Sequence, residues 1–315
     1  MTTALILGAT GGIGHEVAKA LHRNGWQINA LHRDPARVAR HSKDFHWVKG
    51  DAMNAAEVTK AAEGASVIVH AVNPPGYRNW GQWVIPMIES SIAAARTQGA
   101  RILLPGTIYN YGPDAFPTLR ESSPQTPVTR KGKIRVELEK RLQAAADTGV
   151  RSLIIRAGDF FGPDPGNNWF SQGLVKPGQP VKSILYPGRP GIGHAWAYLP
   201  DLAETMAQLL GRESTLAPFE RFHFQGHWDA DGTQITNAIR IAVGNPEIKV
   251  RRFPWPLVTL LSPFKTLFRE MHEMRYLWQE PLRLDNERLL SVLGKEPHTP
   301  LEQAVRATLK GLKCL

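Results

Sequence analysis

At 315 residues the chain can bury a sizeable core without disulfides or metals, and its single cysteine, Cys314, excludes both an intramolecular bridge and a cysteine metal site. Lys and Arg outnumber Asp and Glu by 38 to 28, a formal charge of +10 that favours anionic ligands. The basic residues are dispersed, densest over 129–135, with no aromatic-basic RNA motif or zinc-finger spacing beside them, so nucleic acid is not the expected partner. No apolar run reaches the ~18 residues of a membrane span and no signal-type core follows a basic N-terminus, so neither a membrane nor secretion is expected. A reducing cytoplasm is the expected compartment.

Residues 4–7 read as a first strand. A helix follows over 14–24, with Val17, Ala18 and Leu21 on one face and Gly25 as its stop. Apolar runs at 28–31, 45–48, 67–70, 102–104 and 153–155 read as further strands, separated by helix-length segments. That order predicts α/β architecture, a six-strand doubly wound parallel sheet of the Rossmann type. After Arg156 the texture changes: Gly and Pro are dense over 158–193, and Trp169 and Trp196 appear. Residues 1–160 are thus expected to form the dinucleotide domain, with 195–230 returning to it, and 161–315 a smaller mixed α/β substrate lobe. Residues 199–210 resume a helical pattern, and Phe222-His223-Phe224 reads as a late strand rejoining the large sheet. The bulky apolar stretch 253–278 is expected to pack over a substrate cavity rather than face a membrane. Thr299-Pro300-Leu301-Glu302 has the pattern of a capping box opening the last helix.

Gly8-Ala9-Thr10-Gly11-Gly12-Ile13-Gly14 lies between the first strand and the first helix. Glycine suits a backbone that must turn sharply and approach a diphosphate without a Cβ, and the helix N-terminus supplies free N–H groups and a positive dipole end. Gly8, Thr10, Gly11, Gly12, Ile13 and Gly14 are therefore the expected diphosphate grip. After the second strand, Arg33 with His32 beside it suits the 2′-phosphate of NADP, whereas Asp34 keeps NAD as the less favoured coenzyme. Asp51 is placed to meet the adenine edge, or else to cap the next helix; Ala52, Ala71 and Val72 complete the expected coenzyme contacts.

Several spaced motifs add to this turn: Gly50-Asp51, Tyr111-Gly112-Pro113, Glu121, the Lys133 to Glu137 spacing, Arg156 with Phe161-Gly162-Pro163, Asp201-Leu202-Ala203, and Leu293 to Pro297. In this order they resemble the extended short-chain dehydrogenase/reductase family, which includes nucleotide-sugar epimerases, dehydratases and ketone reductases. The resemblance implies that Thr107 hydrogen-bonds the substrate oxygen and that Lys133 binds the nicotinamide ribose. It also implies a proton-exchanging tyrosine four residues before that lysine, where this chain has Thr129. A threonine hydroxyl titrates far too high for that work. Three accounts stay open: a phenol from Tyr109 or Tyr111, Lys133 itself as donor, directly or through water, and loss of the chemistry. The plainer alternatives are a surface i, i+4 pair for Lys133 and Glu137 and core packing for the tyrosines.

Asn73, Tyr77 and Arg78 follow the fourth strand, and Asn167, Asn168 and Trp169 the sixth, where doubly wound folds place ligands. With His194 they are candidate substrate contacts. No Gly-x-Ser-x-Gly elbow, phosphate loop or zinc-type histidine spacing is present, so no metal is expected. The expectation is an NADP-dependent oxidoreductase or epimerase-like enzyme acting on a small carbonyl or sugar-derived substrate through a non-standard proton path. The alternative is a non-catalytic NADP-sensing regulator. A homodimer is the assembly the resemblance suggests.

Overall fold

Strands buried on both faces are mostly apolar, and the computed structural model, which describes all residues except 1, 41, 75–78, 165 and 167, forms the central strands of its main sheet from such runs. Strands β1 (Thr3–Leu7), β2 (Gln27–His32), β3 (His46–Lys49), β4 (Ala65–His70) and β5 (Arg101–Gly106) alternate with helices α1 (Gly12–Arg23), α2 (Pro35–Val38), α3 (Ala55–Ala61) and α4 (Trp80–Gln98). The short β6 (Thr118–Leu119) precedes α5 (Arg130–Ala146) and β7 (Ser152–Arg156). Then come β8 (Asp159–Phe161), β9 (Ser183–Tyr186), β10 (His194–Tyr198), α6 (Leu199–Leu210), β11 (Phe219–His223) and β12 (His227–Asp229). The chain ends through α7 (Gln234–Val243), β13 (Lys249–Arg252), α8 (Trp255–Leu261), α9 (Thr266–Glu273), β14 (Arg283–Leu284), α10 (Glu287–Leu293) and α11 (Leu301–Gly311).

The main sheet has seven strands in the order β11-β7-β5-β4-β1-β2-β3, with parallel pairing from β3 through to β7. It exceeds the expected six because β11 joins the outer edge of β7. The sequence placed that late strand at 222–224; it begins at Phe219 instead, since the polar Glu220 and Arg221 hide a strand that backbone pairing recruits. Arg101, buried at the start of β5, donates to the carbonyls of Ser152 and Ala217, each at 3.0 Å, and to Glu213 at 2.6 Å. One guanidinium thereby joins β5, β7 and the approach to β11. Helix α1 buries Val17, Ala18 and Leu21 as expected. Gly25, at φ +82°, ends it by donating its N–H to the carbonyl of His22 at 3.0 Å.

The chain divides into two compact units, neither contiguous in sequence. The first comprises residues 1–110, 130–156 and 203–222; the second comprises 111–129, 157–202 and 223–315. Against the expected 1–160 with 195–230 returning to it, and 161–315, residues 203–222 fall in the first unit and 111–129 in the second. The second unit holds a three-stranded sheet, β12-β10-β8, and the parallel pairs β13–β9 and β14–β6. Within it the expected capping box does not form. The Thr299 hydroxyl and N–H both donate to the Asp201 carboxylate, at 2.7 and 2.6 Å, and Pro300 takes the cap position of α11. The stretch 253–278 divides as well: Trp255 and Trp278 are buried, whereas Leu257, Leu260, Phe264 and Leu267 are exposed on α8, α9 and the turn between them. Among the described residues no helix is long and apolar enough to cross a membrane.

His70, buried at the end of β4 with Nδ1 2.8 Å from the Ser91 hydroxyl, titrates far below its usual range, at about 3. Burial is the main cause and the Arg135 charge adds to it. A histidine depressed in the folded state contributes stability that is present above its unfolded value of 6.5 and lost as pH falls toward 3. Urea melts at pH 8 and pH 5 are expected to differ by about 2 kcal/mol from this group. In His70→Asn that part of the pH dependence should vanish; an unaltered slope refutes the assignment.

Candidate coenzyme and active site

The coenzyme-binding candidates lie in the first unit, Lys133 on α5 and the others at or just beyond the carboxyl ends of the parallel strands. The sheet order reverses between β1 and β4, and the glycine turn sits at that switch point. Gly8 has φ +93°, and a Cβ there would lie 2.6 Å from the carbonyl oxygen of Ala71. A Cβ on Gly14 would lie 2.2 Å from the Gly8 carbonyl oxygen. Neither position tolerates a side chain. Gly11 differs, since its absent Cβ would meet only the Gly8 oxygen at 3.4 Å, and both Gly11 and Thr10 are exposed.

Gly11 caps α1 in extended conformation without a side-chain bond, and the first turn carries no acidic residue. The first-turn amides of Gly12, Ile13 and Gly14 have no carbonyl one turn earlier to bond, and nothing negative competes for them. The first-turn amides and the missing Cβ atoms at this turn suit a dinucleotide's diphosphate. When bound, the coenzyme supplies or accepts hydride; the chain supplies the grip and its orientation.

A groove of about 750 Å³ runs beside the ends of β2 and β3, lined by Asn29, Arg33, Lys49, Gly50, Asp51 and Glu57 among others. Arg33 is exposed there. Asp34 is occupied as the cap of α2, its carboxylate accepting the Arg37 N–H at 3.3 Å, while its own N–H donates to His32 Nδ1 at 3.0 Å. Asp51 accepts the Met53 N–H at 3.0 Å, and its own N–H donates to Glu57 at 2.7 Å. The helix-cap alternative for Asp51 falls instead to Asn54, whose side chain accepts from Ala56 and Glu57 and opens α3. Ala52, Ala71 and Val72 are half-buried, and the Ala71 N–H extends the β1 ladder by bonding the Leu7 carbonyl at 3.0 Å.

Thr107, half-buried, follows the last residue of β5. Its hydroxyl donates to Asn110 Oδ1 at 3.3 Å, and Asn110 Nδ2 donates to Glu139 Oε1 at 2.9 Å. Arg156 closes the ring, donating through Nη2 to both Glu139 oxygens at 2.8 Å and through Nη1 to the Thr107 carbonyl. The Thr107 loop is thus locked to α5 and β7. Tyr109 is half-buried and packs against the core of the first unit. In the second unit Thr129 is buried, and the Tyr111 phenol, also buried, lies 3.2 Å from His223 Nε2.

Helix α5 does not present its residues as the Lys133 to Glu137 spacing implied. Lys133 and Glu137 are exposed, and Glu137 pairs with Arg141 at 2.9 Å. The buried face carries Lys131, Arg135 and Glu139 ahead of Leu142 and Ala145. Arg135 Nη2 donates to Asn73 Oδ1 at 2.7 Å and its guanidinium lies 5.1 Å over the Trp80 ring. These three residues were missed by the sequence reading. The signal existed in the apolar stripe Leu138, Leu142 and Ala145, which extends backward by helical steps to 135 and 131.

Of the substrate candidates, Tyr77 and Asn167 lie outside the described residues, as does Arg78. Asn168 is a turn residue, its Oδ1 accepting from the Ser171 N–H at 2.8 Å. Trp169 and His194 belong to an aromatic cluster in the second unit. Trp169 lies 5.5 Å from both Phe253 and Trp278, and His194 stacks on Trp278 at 3.8 Å with Nε2 held 2.7 Å from Asp159. In that cluster the indole nitrogens of Trp196 and Trp278 and the Tyr186 hydroxyl are buried with no hydrogen-bond partner among the described residues. Burial, with Asp229, Asp159 and Asp231 adding to it, pushes the Tyr186 hydroxyl up.

A glycine turn at the switch point of a doubly wound sheet defines an α/β dinucleotide-binding protein. A family model described as NAD(P)H-binding matches residues 8–167, just over half of the chain, and the chain belongs to that family. A curated relative, the 3-diazoavenalumate denitrifying reductase of a Streptomyces species, is 29% identical over 180 residues, or 51% of this chain and 57% of the relative. The match therefore spans little more than half of that relative's length. Two solved UDP-glucose 4-epimerases share the fold. That of Thermotoga maritima has a TM-score of 0.75 at 15% identity over 99% of each chain. That of Bifidobacterium longum, in complex with NAD+ and UDP, has 0.75 at 14% over 100% of each.

Two substitutions test this geometry. Gly8→Ala is expected to abolish coenzyme binding in a fluorescence titration, because the added methyl needs a backbone shift at Ala71. Wild-type affinity in that variant would refute the packing argument. Glu139→Ala, which strands Arg156 in the core, should lower stability by about 3–5 kcal/mol in denaturant melts.

Proposed function

We propose that the chain is an NADP-dependent reductase acting on a small carbonyl or sugar-derived substrate. The supporting observation is the close approach of Gly8 and Gly14, which lack side chains, to each other and to Ala71 at the N-terminus of α1. In this reading Thr10, Gly11, Gly12 and Ile13 grip the diphosphate, while Asp51 and Ala52 border the adenine and Ala71 and Val72 the nicotinamide half. Arg33, with His32, selects the 2′-phosphate. Engagement of Asp34 as a helix cap supports NADP over NAD, since a carboxylate bound to an amide is poorly placed to hold a ribose diol. Thr107 holds the substrate oxygen. The activity named for the Streptomyces relative, a reduction, agrees in class.

Titration with NADPH and NADH is the direct test. NADPH is expected to bind more tightly, and Arg33→Ala should weaken it by about 10- to 100-fold, the worth of a charged hydrogen bond, with NADH changed less than about threefold. Saturable binding with no turnover of any carbonyl would favour the sensing alternative. No uptake of either coenzyme would sink the reading.

A further inference from the structure

We propose that the helical hairpin α8–α9 lays the protein on an anionic lipid surface, with Leu257, Leu260, Phe264 and Leu267 entering the boundary between headgroups and acyl chains while the cations near them in sequence meet lipid phosphates.

Over 253–278 the second unit uses its large apolar residues in two opposite ways. Trp255 and Val258 anchor α8: both are buried, and the Trp255 indole N–H donates to the Pro187 carbonyl at 2.7 Å. Met274, Leu277 and Trp278 are buried beyond the end of α9. Between these anchors Leu257, Leu260, Phe264 and Leu267 are left 50%, 67%, 81% and 54% exposed. Leu257 and Leu260 are three positions apart and share a face of α8. The chain then turns tightly, the N–H groups of Phe264 and Lys265 both donating to the Leu261 carbonyl at 3.1 Å, and Leu267 follows in the first turn of α9. The Thr259 hydroxyl lies 3.2 Å from His272 Nδ1 and ties the two helices together. Bulky apolar side chains gathered in one hairpin differ from singly scattered ones, and such patches mark contact with a partner or a membrane.

Charge decides between these. Residues 249–269 include Lys249, Arg251, Arg252, Lys265 and Arg269, all exposed, and no acidic residue. The next residue, Glu270, is buried and lies 3.9 Å from Arg269. Leu and Phe flanked by cations alone suit an anionic bilayer interface, where the apolar groups leave water and each cation gains from the negative surface potential. A second copy of the chain fits less well, because a two-fold contact would set these cations against themselves. Cations on β13, which pairs with β9 in a two-stranded sheet, also deter stray strand pairing, but that role leaves the apolar side chains of α8 and α9 unaccounted for. The hairpin lies on the surface rather than crossing it, since among the described residues no helix is long and apolar enough to span a membrane.

The test is co-sedimentation of the full chain with extruded vesicles of phosphatidylcholine alone or with about one-third phosphatidylglycerol. The wild type is expected to partition at least about tenfold more strongly onto the anionic vesicles, and about 0.5 M salt should remove most of that preference. Leu260→Ser combined with Phe264→Ser should lower partitioning about tenfold or more with the thermal unfolding midpoint unchanged, because both side chains are exposed in the free protein. Lys249→Gln, Arg251→Gln and Arg252→Gln together should lower binding to anionic vesicles about 10- to 100-fold and leave that to phosphatidylcholine unchanged. Sedimentation that is no greater with anionic vesicles than without them, or equal for the two compositions, overturns the proposal. So does wild-type partitioning by the serine pair, or a lipid-free dimer that the serine pair dissolves, which would give the face to a second copy.

Discussion

Backbone meets backbone where β1, α1 and β4 converge, and the missing side chains at Gly8 and Gly14 make that possible. With Ala71 pressed against Gly8, the switch point stays narrow and the α1 amides face an open gap. The exit of β4 is held where Asn73 can reach Arg135. A methyl group at either glycine would spread these elements, and every later contact depends on their spacing.

Much of the frame was legible because parallel strands buried on both sides are written as unbroken apolar runs. Their ends were less so. Gln27 and Lys49 are strand members through pairing, and Arg101 and Ser152 through buried hydrogen bonds, which local pattern does not encode. Helix α5 shows how little a spacing alone says about burial. A four-residue spacing fits Lys133–Glu137 and fits Lys131–Arg135–Glu139 equally, and sliding two residues rotates the side chains by about 200° around the axis. Only the apolar stripe downstream decides between them. The last helix shows the opposite limit: Thr299 had a sound local partner in prospect, but Asp201, 98 positions away, took both of its donors.

The aromatic cluster was only half visible. Trp169 and His194 stood out by type and position, yet what orders them, Asp159 and Trp278, arrives from segments far apart in the chain. Its buried indole and phenol groups find no hydrogen-bond partner among the described residues, which local sequence could not have signalled.

The interleaving of the two units constrains how the gene can be cut. A fragment stopping near residue 160 would omit β11 and α6, exposing the unpaired rim of β7 and stranding Arg101 without Glu213 or the Ala217 carbonyl. The complementary fragment would lack β6 and with it the partner of β14. Either cut takes strands from a sheet, so truncation, fusion and domain-exchange engineering must respect boundaries near 110, 130, 156, 203 and 222 together.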